Sequence, residues 1–259
     1  MSETVKLTVQ PSGAATILID RPERHNAMTI PMYEALLERI DQCEQNAAVR
    51  CILLRGAGGK SFVSGTDIGY FTDFRDGRDG VVYEALVERV IDRVERVPLP
   101  TIAVIDGWAV GGGLALATAC DFRVCSEASR FGAPIAKTLS NTLSSRNLAR
   151  LVAAFGVPRV KKMLMLADML SAQDARACGF VQEVCGSDQL DAVSDALAAR
   201  LIALSPVTQR AVKESLRRLV VEHRFDDEDL VEQVYGSDAF REAVIAFTSG
   251  GSKKPADRH

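Results

Sequence analysis

Short apolar runs alternate with segments of helical periodicity over about the first 190 residues, and this alternation restricts the fold more than any other feature of the sequence. Residues 49–54 and 102–105 are nearly continuous apolar runs, the pattern of strands buried inside a protein. Between them Leu86, Val90 and Val94 recur at the spacing of one helix face. Strands and helices that alternate with connections long enough for crossovers predict an α/β fold, and they argue against a helix bundle or a β-sandwich.

Other segments extend this pattern. The alternating residues 5–9 and the run 15–19, on either side of a Pro-Ser-Gly turn, predict a β-hairpin. Residues 32–40 carry the periodicity of an amphipathic helix directly after it. Small residues at 114–119 predict a further helix immediately after three consecutive glycines.

The last quarter of the chain carries only helical periodicity. Leucines and valines recur at helical spacing between Leu197 and Val234, and no strand pattern follows residue 190 or so. We therefore expect a core over residues 1–193 and an α-helical C-terminal extension over residues 194–259. This extension either covers the core or binds a neighbouring molecule.

Composition and charge exclude several classes of protein. The 259 residues are 47% hydrophobic and 25% charged, as in ordinary globular proteins. Lys and Arg number 31 against 34 Asp and Glu, so the net charge of -3 gives no reason to expect nucleic acid or an anionic membrane as partner. No apolar run reaches the roughly 20 residues of a membrane span. Six cysteines and a polar, acidic start at residues 1–5 predict reduced thiols in a cytoplasmic protein.

Several familiar motifs are incomplete. The Gly-Lys-Ser at 59–61 lacks the first glycine of a phosphate-binding loop, because position 54 is Leu. The three glycines at 111–113 lack the third glycine of a dinucleotide-binding fingerprint, because position 116 is Leu. No pair of cysteines has Cys-x-x-Cys spacing, and the histidines are far apart in the chain: His25, His223 and His259. We predict no metal site.

Two glycine turns carry the strongest functional signal. Each follows a predicted strand and precedes a predicted helix: Ser-Phe-Val-Ser-Gly-Thr-Asp at 61–67, and the segment 105–114 with its three glycines. The first turn of a helix has unpaired N–H groups that attract negative charge. Two such turns that converge would form an oxyanion hole. The other interpretation is that the glycines serve only tight turns and close helix packing.

Five segments, in order along the chain, resemble the crotonase superfamily, also called the enoyl-CoA hydratase/isomerase family. They are residues 21–28 (Arg-Pro-Glu-Arg-His-Asn-Ala-Met), 61–67, 100–113 with Ala-Cys-Asp at 119–121, 131–134 (Phe-Gly-Ala-Pro) and 240–247. The resemblance implies a spiral of strand-strand-helix repeats. It also implies a helical C-terminus that forms trimers, often paired into hexamers, and an acyl-CoA thioester as substrate with no separate cofactor.

The resemblance also implies the residues of the site. The backbone N–H groups of Thr66 and Gly112 would stabilise a thioester enolate. Coenzyme A would lie along Arg24, Ala27, Ser64, Asp67, Ile68 and Gly69, with Arg24 near a phosphate. Alternatively, Asp67 caps the helix after the turn and Arg24 is only solvated. Lys253 and Lys254 would either bind a coenzyme A phosphate of a neighbouring subunit or be solvated.

Two positions depart from the family pattern. The resemblance places the two catalytic glutamates of family hydratases at Ala115 and Ile135, neither of which transfers protons. Loss of general acid-base catalysis costs about two to four orders of magnitude in rate. The segment 137–147 is rich in hydroxyl and amide groups, among which Thr138, Asn141 and Ser144 are candidates for orienting a water or a substrate carbonyl.

Two functions therefore remain open. One is an enzyme that acts on an acyl-CoA thioester through its enolate, by hydration, isomerisation, decarboxylation or carbon-carbon cleavage. The other is a binding protein that keeps the acyl-CoA cavity without the chemistry. The intact glycine turns favour the first function, and the two apolar replacements favour the second.

Overall fold

The structure is a computed structural model that describes residues 5–250, so Lys253 and Lys254 lie outside the described residues. The strands are β1 Val5–Val9, β2 Ala14–Ile19, β3 Cys51–Gly56, β4 Ser61–Val63, β5 Thr101–Ile105, β6 Trp108–Val110, β7 Phe122–Ser126, β8 Arg130–Gly132, β9 Leu170–Ser171 and β10 Glu183–Cys185. The α-helices are α1 Ile30–Gln45, α2 Gly77–Arg96, α3 Gly112–Ala119, α4 Ser145–Met165, α5 Ala172–Ala177, α6 Leu190–Ile202, α7 Pro206–Arg217, α8 Glu228–Tyr235 and α9 Asp238–Gly250. Short 3-10 helices span Pro22–Arg24, Ile68–Asp73 and Ser187–Gln189, and a π-helical turn spans Arg218–Glu222.

The strands form two sheets, and the chain visits both in each repeat. The larger sheet has the order β1-β2-β3-β5-β7-β10, and the smaller has the order β4-β6-β8-β9. The pairs β3-β5 and β5-β7 in the larger sheet, and β4-β6 and β6-β8 in the smaller one, are parallel. Each of the pairs β3-β4, β5-β6 and β7-β8 therefore places one strand in each sheet before a helix follows. This confirms the predicted α/β spiral of strand-strand-helix repeats.

The core explains why the central strands are so apolar. All five residues of β5 are buried, because the larger sheet is covered on both faces. The helix α3 is built from small residues and is itself almost wholly buried. Its second residue, Gly113, lies so close to β4 that an added β-carbon would be 1.9 Å from the carbonyl oxygen of Val63. Only glycine fits there, so this contact fixes the start of α3 against the end of β4.

The C-terminal part of the chain is helical, as predicted. Leu190, Ala198 and Leu201 of α6 pack in a buried cluster with residues of the larger sheet, such as Leu53 and Val104. The proposed boundary between residues 193 and 194 thus falls inside a helix that packs against the sheet, and the division into core and oligomerisation region stays a prediction. Within residues 5–250, no helix is long and apolar enough to cross a membrane.

Candidate active site

The two glycine turns lie against each other. They follow β4 and β6, which are neighbouring parallel strands, so both turns lie at the same edge of the smaller sheet. Gly65 has a φ of 102°, and a β-carbon there would lie 3.6 Å from the amide nitrogen of Gly112. The structure therefore brings Thr66 and Gly112, the two predicted N–H donors, to adjacent turns.

The N–H groups of Thr66 and Gly112 are both unused. Among residues 5–250, neither takes part in a hydrogen bond, although the backbone N–H groups directly beside them do. The N–H of Asp67 donates to the carbonyl oxygen of Met28, and that of Gly111 donates to Gly132. Gly112 is also the first residue of α3, where an amide has no partner inside the helix. Two free donors at touching turns suit a negatively charged oxygen.

A chain of three hydroxyl groups adjoins both turns. The hydroxyl oxygen of Thr66 lies 2.8 Å from that of Tyr33 on α1 and 2.8 Å from that of Tyr83 on α2. The Tyr33 oxygen also lies 3.2 Å from the point that a β-carbon on Gly112 would occupy. Burial raises the pKa of Tyr83 to about 12 and that of Tyr33 beyond it, so both phenols are neutral near pH 7.

The two tyrosines that hydrogen-bond to Thr66 were not among the residues singled out from the sequence. Tyr33 and Tyr83 lie on two different helices, and each is far from position 66 in sequence. The only local signal is Thr66 itself, because a hydroxyl beside a buried turn requires a hydrogen-bond partner.

The predicted coenzyme A residues form a second group beside the Thr66 turn. A parallel bridge between Met28 and Thr66 holds Ala27 next to the turn that contains Ser64. Ile68 is 62% exposed and Arg24 is also exposed, so both side chains are open to solvent. The charge of Arg24 contributes to lowering the pKa of Asp67, which places the two within electrostatic reach.

Asp67 has a structural role in this arrangement. Its carboxylate accepts the N–H of Gly69 at 2.9 Å, which caps the 3-10 helix Ile68–Asp73, and it pairs with the guanidinium of Arg21 at 2.6 Å. The hydrogen bond from Arg21 is the main cause that lowers the pKa of Asp67 below its usual range. The structure thus gives Asp67 the capping role, and contacts with coenzyme A stay a prediction.

The positions at which the resemblance places the two catalytic glutamates are apolar and sheltered. Ala115 lies in the first turn of α3 and is 4% exposed, and Ile135 is half-buried after β8. The carboxylates of α2 serve another segment: Glu84 accepts the backbone N–H of Ser144 at 2.8 Å, and Glu88 accepts its hydroxyl at 2.8 Å. Ser144 is the N-cap of α4. These contacts therefore anchor the hydroxyl-rich segment before α4.

Glu84 is a half-buried carboxylate that the sequence did not single out. Burial raises its pKa above the usual range. Its charge in turn raises the pKa of both Tyr33 and Tyr83, so it lies within electrostatic reach of the hydroxyl chain. It is thus a second titratable group beside the two tyrosines.

A cavity of about 590 Å³ lies at the other end of α3, between that helix, α4 and α7. None of the predicted site residues lines it. Its basic side chains all have partners among residues 5–250. Lys213 contacts Asp121 and Arg150 contacts Glu95, each at 2.8 Å. Arg217 pairs with Glu214, and Arg123 donates to backbone carbonyl oxygens. The cavity therefore lacks a free cation for a phosphate group. The described residues also contain no cluster of side chains able to hold a metal ion.

Comparisons with known proteins identify the family of this chain. Residues 10–252 match the family model of enoyl-CoA hydratase/isomerase. The short-chain-enoyl-CoA hydratase of Clostridium acetobutylicum is 29% identical over 79% of this chain and 77% of its own. The ethylmalonyl-CoA decarboxylase of Homo sapiens is 29% identical over 93% of this chain and 80% of its own.

The solved structure of an enoyl-CoA hydratase/carnithine racemase from Magnetospirillum magneticum superposes with a TM-score of 0.86. It is 29% identical in sequence, and the match covers 100% of this chain and 96% of the other. The family match over nearly the whole chain and the shared fold lead to one conclusion. The chain belongs to the enoyl-CoA hydratase/isomerase family of the crotonase superfamily.

Proposed function

We propose that this protein is an enzyme that forms the enolate of an acyl-CoA thioester and stabilises it with the N–H groups of Thr66 and Gly112. The observation that carries this proposal is the pair of unused N–H groups at touching turns. Donors held in place before the reaction stabilise developing negative charge at little reorganisation cost. A single donor of this kind is worth about 2.7 to 4 kcal/mol in a transition state.

We favour decarboxylation of a 2-carboxyacyl-CoA over hydration. Decarboxylation breaks the bond to the carboxylate, releases CO₂ and leaves the electron pair in the enolate, so the first step needs no base. Hydration needs an acid and a base to position a water, and Ala115 and Ile135 supply neither. The apolar wall that Ala115 and Ile135 form also favours loss of a carboxylate from the substrate, because burying a charge in apolar surroundings is costly.

The substrate path follows the residues beside the first turn. Ala27 and Ser64 lie close enough to the turn for their backbone groups to contact the pantetheine or adenine, with Asp67, Ile68 and Gly69 in the same loop. Arg24, which is exposed and positively charged, would meet a phosphate of coenzyme A. No separate cofactor is required by this chemistry.

We also propose that the protein forms a trimer, alone or paired as a hexamer. The C-terminal helices leave large apolar side chains exposed, among them Leu216 at 56%, Tyr235 at 63% and Ile245 at 63%. Exposed apolar residues concentrated in one region favour a protein interface. Light scattering should give about three or six times the 28.0 kDa of one chain; a mass of one chain at working concentrations would contradict this.

Two assays on the wild-type protein test the proposed function. Isothermal titration with a panel of acyl-CoA esters should show saturable binding. Release of CO₂ from ethylmalonyl-CoA should then exceed hydration of crotonyl-CoA, followed by loss of the conjugated thioester absorbance. Binding without either reaction would support the non-catalytic alternative, and hydration at tens of turnovers per second or more, usual for enzymes, would show that another acid-base pair exists.

A further inference from the structure

The chain of hydroxyls at Tyr33, Thr66 and Tyr83 contains one more proton than its hydrogen bonds use. Each hydroxyl group carries a single hydrogen, so three hydroxyls have three donors. Only two hydrogen bonds join these three hydroxyls, both 2.8 Å long and both made by the side-chain oxygen of Thr66. One O–H group is therefore free to donate to another molecule.

Burial shows that the free O–H is not that of Tyr33. Tyr33 is 1% exposed, and within residues 5–250 Thr66 is the only partner of its hydroxyl. If Tyr33 only accepted, its own O–H would be buried without an acceptor, which is costly. Tyr33 therefore donates to Thr66. The free O–H belongs to Thr66 or Tyr83, and it moves to Tyr83 when Thr66 donates to the Tyr83 oxygen.

The surroundings of Tyr83 suit an acid more than a base. Its ring packs among aromatic rings, with the centre of Phe71 4.8 Å and that of Tyr70 5.8 Å away, and it is 8% exposed. The phenol stays neutral near pH 7 because its pKa is about 12. The α carbon of a thioester enolate is a much stronger base than a phenolate, so transfer of the phenolic proton to it is downhill.

We propose that the hydroxyl of Tyr83 protonates the α carbon of the enolate, and that Thr66 and Tyr33 are positioning residues. The inference rests on the proposed function, because it needs an enolate held at Thr66 and Gly112. The Tyr83 oxygen lies 2.8 Å from the side-chain hydroxyl of Thr66, and the backbone N–H of Thr66 is the predicted oxyanion donor. The same residue thus links the site of negative charge to the source of the proton.

The step balances without another reactant. The bond from the α carbon to the carboxylate breaks, CO₂ leaves, and the electron pair enters the enolate. The enolate α carbon then takes the proton of Tyr83, and the thioester carbonyl is restored. The Tyr83 oxygen, now negative, accepts the O–H of Thr66, which itself accepts the O–H of Tyr33. Water returns the proton to Tyr83 when the product leaves.

Decarboxylation of ethylmalonyl-CoA in D₂O tests this assignment. The product, butyryl-CoA, carries one deuterium at C2, and a fixed acid delivers it to one face. We expect Tyr83→Phe to lower kcat about 100-fold, within the range typical of a lost general acid, with little change in KM. Deuterium should then appear on both faces. Thr8→Val removes a hydroxyl from an exposed residue of β1 and should leave rate and stereochemistry unchanged.

Thr66→Val keeps the backbone N–H and removes only the hydroxyl. We expect it to reduce the preference for one face and to lower kcat less than Tyr83→Phe does, since Tyr83 keeps its proton but loses its orientation. Tyr33→Phe should have a smaller effect in the same direction. Melting curves followed by circular dichroism establish that each variant is folded.

Two results would overturn the assignment. If Tyr83→Phe retains the wild-type rate and single-face deuteration, Tyr83 is not the acid. If Glu84→Gln abolishes single-face deuteration while Tyr83→Phe does not, the acid is Glu84. Failure of the proposed function looks different: the wild-type protein itself then releases no CO₂, and the inference falls with it.

Discussion

The hydroxyl chain can be tested by stability alone, through Thr66→Val. Valine has nearly the same shape, keeps the backbone N–H, and removes two hydrogen bonds of 2.8 Å. Each such bond is worth about 0.5 to 1.5 kcal/mol net, and a buried donor left without a partner costs about 1 to 3 kcal/mol. Tyr33, at 1% exposure, is that donor. Because these terms overlap, we expect the free energy of unfolding to fall by about 2 to 3 kcal/mol.

The double variant isolates the interaction. Tyr33→Phe alone removes one hydrogen bond, so it should cost about 1 kcal/mol. In Tyr33→Phe with Thr66→Val, no Tyr33 hydroxyl remains to be left unpaired. The combined cost should therefore be less than the sum of the two single costs by about 1 kcal/mol, the size expected for residues in contact.

Urea unfolding followed by circular dichroism measures this coupling. All four proteins should be compared at one pH and one protein concentration, since association changes apparent stability. Equal slopes with different midpoints show that the variants alter stability and not the unfolded state. If the single costs add to within about 0.3 kcal/mol, the two hydroxyls do not interact and the proton count above is wrong.

The glycine contacts, the apolar wall and the Asp67 ion pair each give a prediction. Gly113→Ala puts a β-carbon 1.9 Å from a backbone oxygen, so it should abolish soluble folded protein. The control Gly80→Ala, whose β-carbon has no atom within 4 Å, should give a normal yield. Equal yields of the two variants would refute the close packing. Glu at both Ala115 and Ile135 should raise crotonyl-CoA hydration from a low rate and lower the melting temperature; an unchanged rate would show that these positions do not face the acyl group. The lowered pKa of Asp67 means that its stabilisation is complete above the unfolded value of about 4 and is lost as pH falls through the folded value. Asp67→Asn should therefore lose less stability than wild type as the pH falls below about 4 in urea titrations, and parallel curves would exclude a role for this ion pair.

The strands of the larger sheet and the helices between them could be predicted as far as α3, because their apolar pattern is regular. Residues 102–105 form an apolar run that reports a strand buried on both faces, and the structure places β5 there. The start of α2 could not be predicted, since its first four residues, Gly-Arg-Asp-Gly, carry no apolar spacing. The helix begins at Gly77, and a capping box between Asp76 and Asp79 stabilises this end. These two carboxylates do not contribute to apolar spacing.

The two turns of the candidate site could be predicted, because glycines after successive parallel strands meet at one edge of a sheet. The hydroxyl chain could not. Tyr33 and Tyr83 reach Thr66 from two helices, and their meeting depends on how α1 and α2 pack against each other. The same holds for Glu84 and Ser144, whose contact joins α2 to the start of α4.

The central claim is that backbone N–H groups stabilise the enolate, and replacement of Gly112 tests it most directly. Gly112→Pro removes the N–H at the first position of a helix, where proline is tolerated, and Gly112→Ala adds a β-carbon but keeps the N–H. With acyl-CoA binding and circular dichroism as controls, we predict that Gly112→Pro lowers kcat for ethylmalonyl-CoA by about 100- to 1000-fold, the cost of one oxyanion donor. Gly112→Ala should lower it by less than about tenfold, since its β-carbon displaces only the Tyr33 hydroxyl, 3.2 Å away. Equal rates for the two variants would contradict the account.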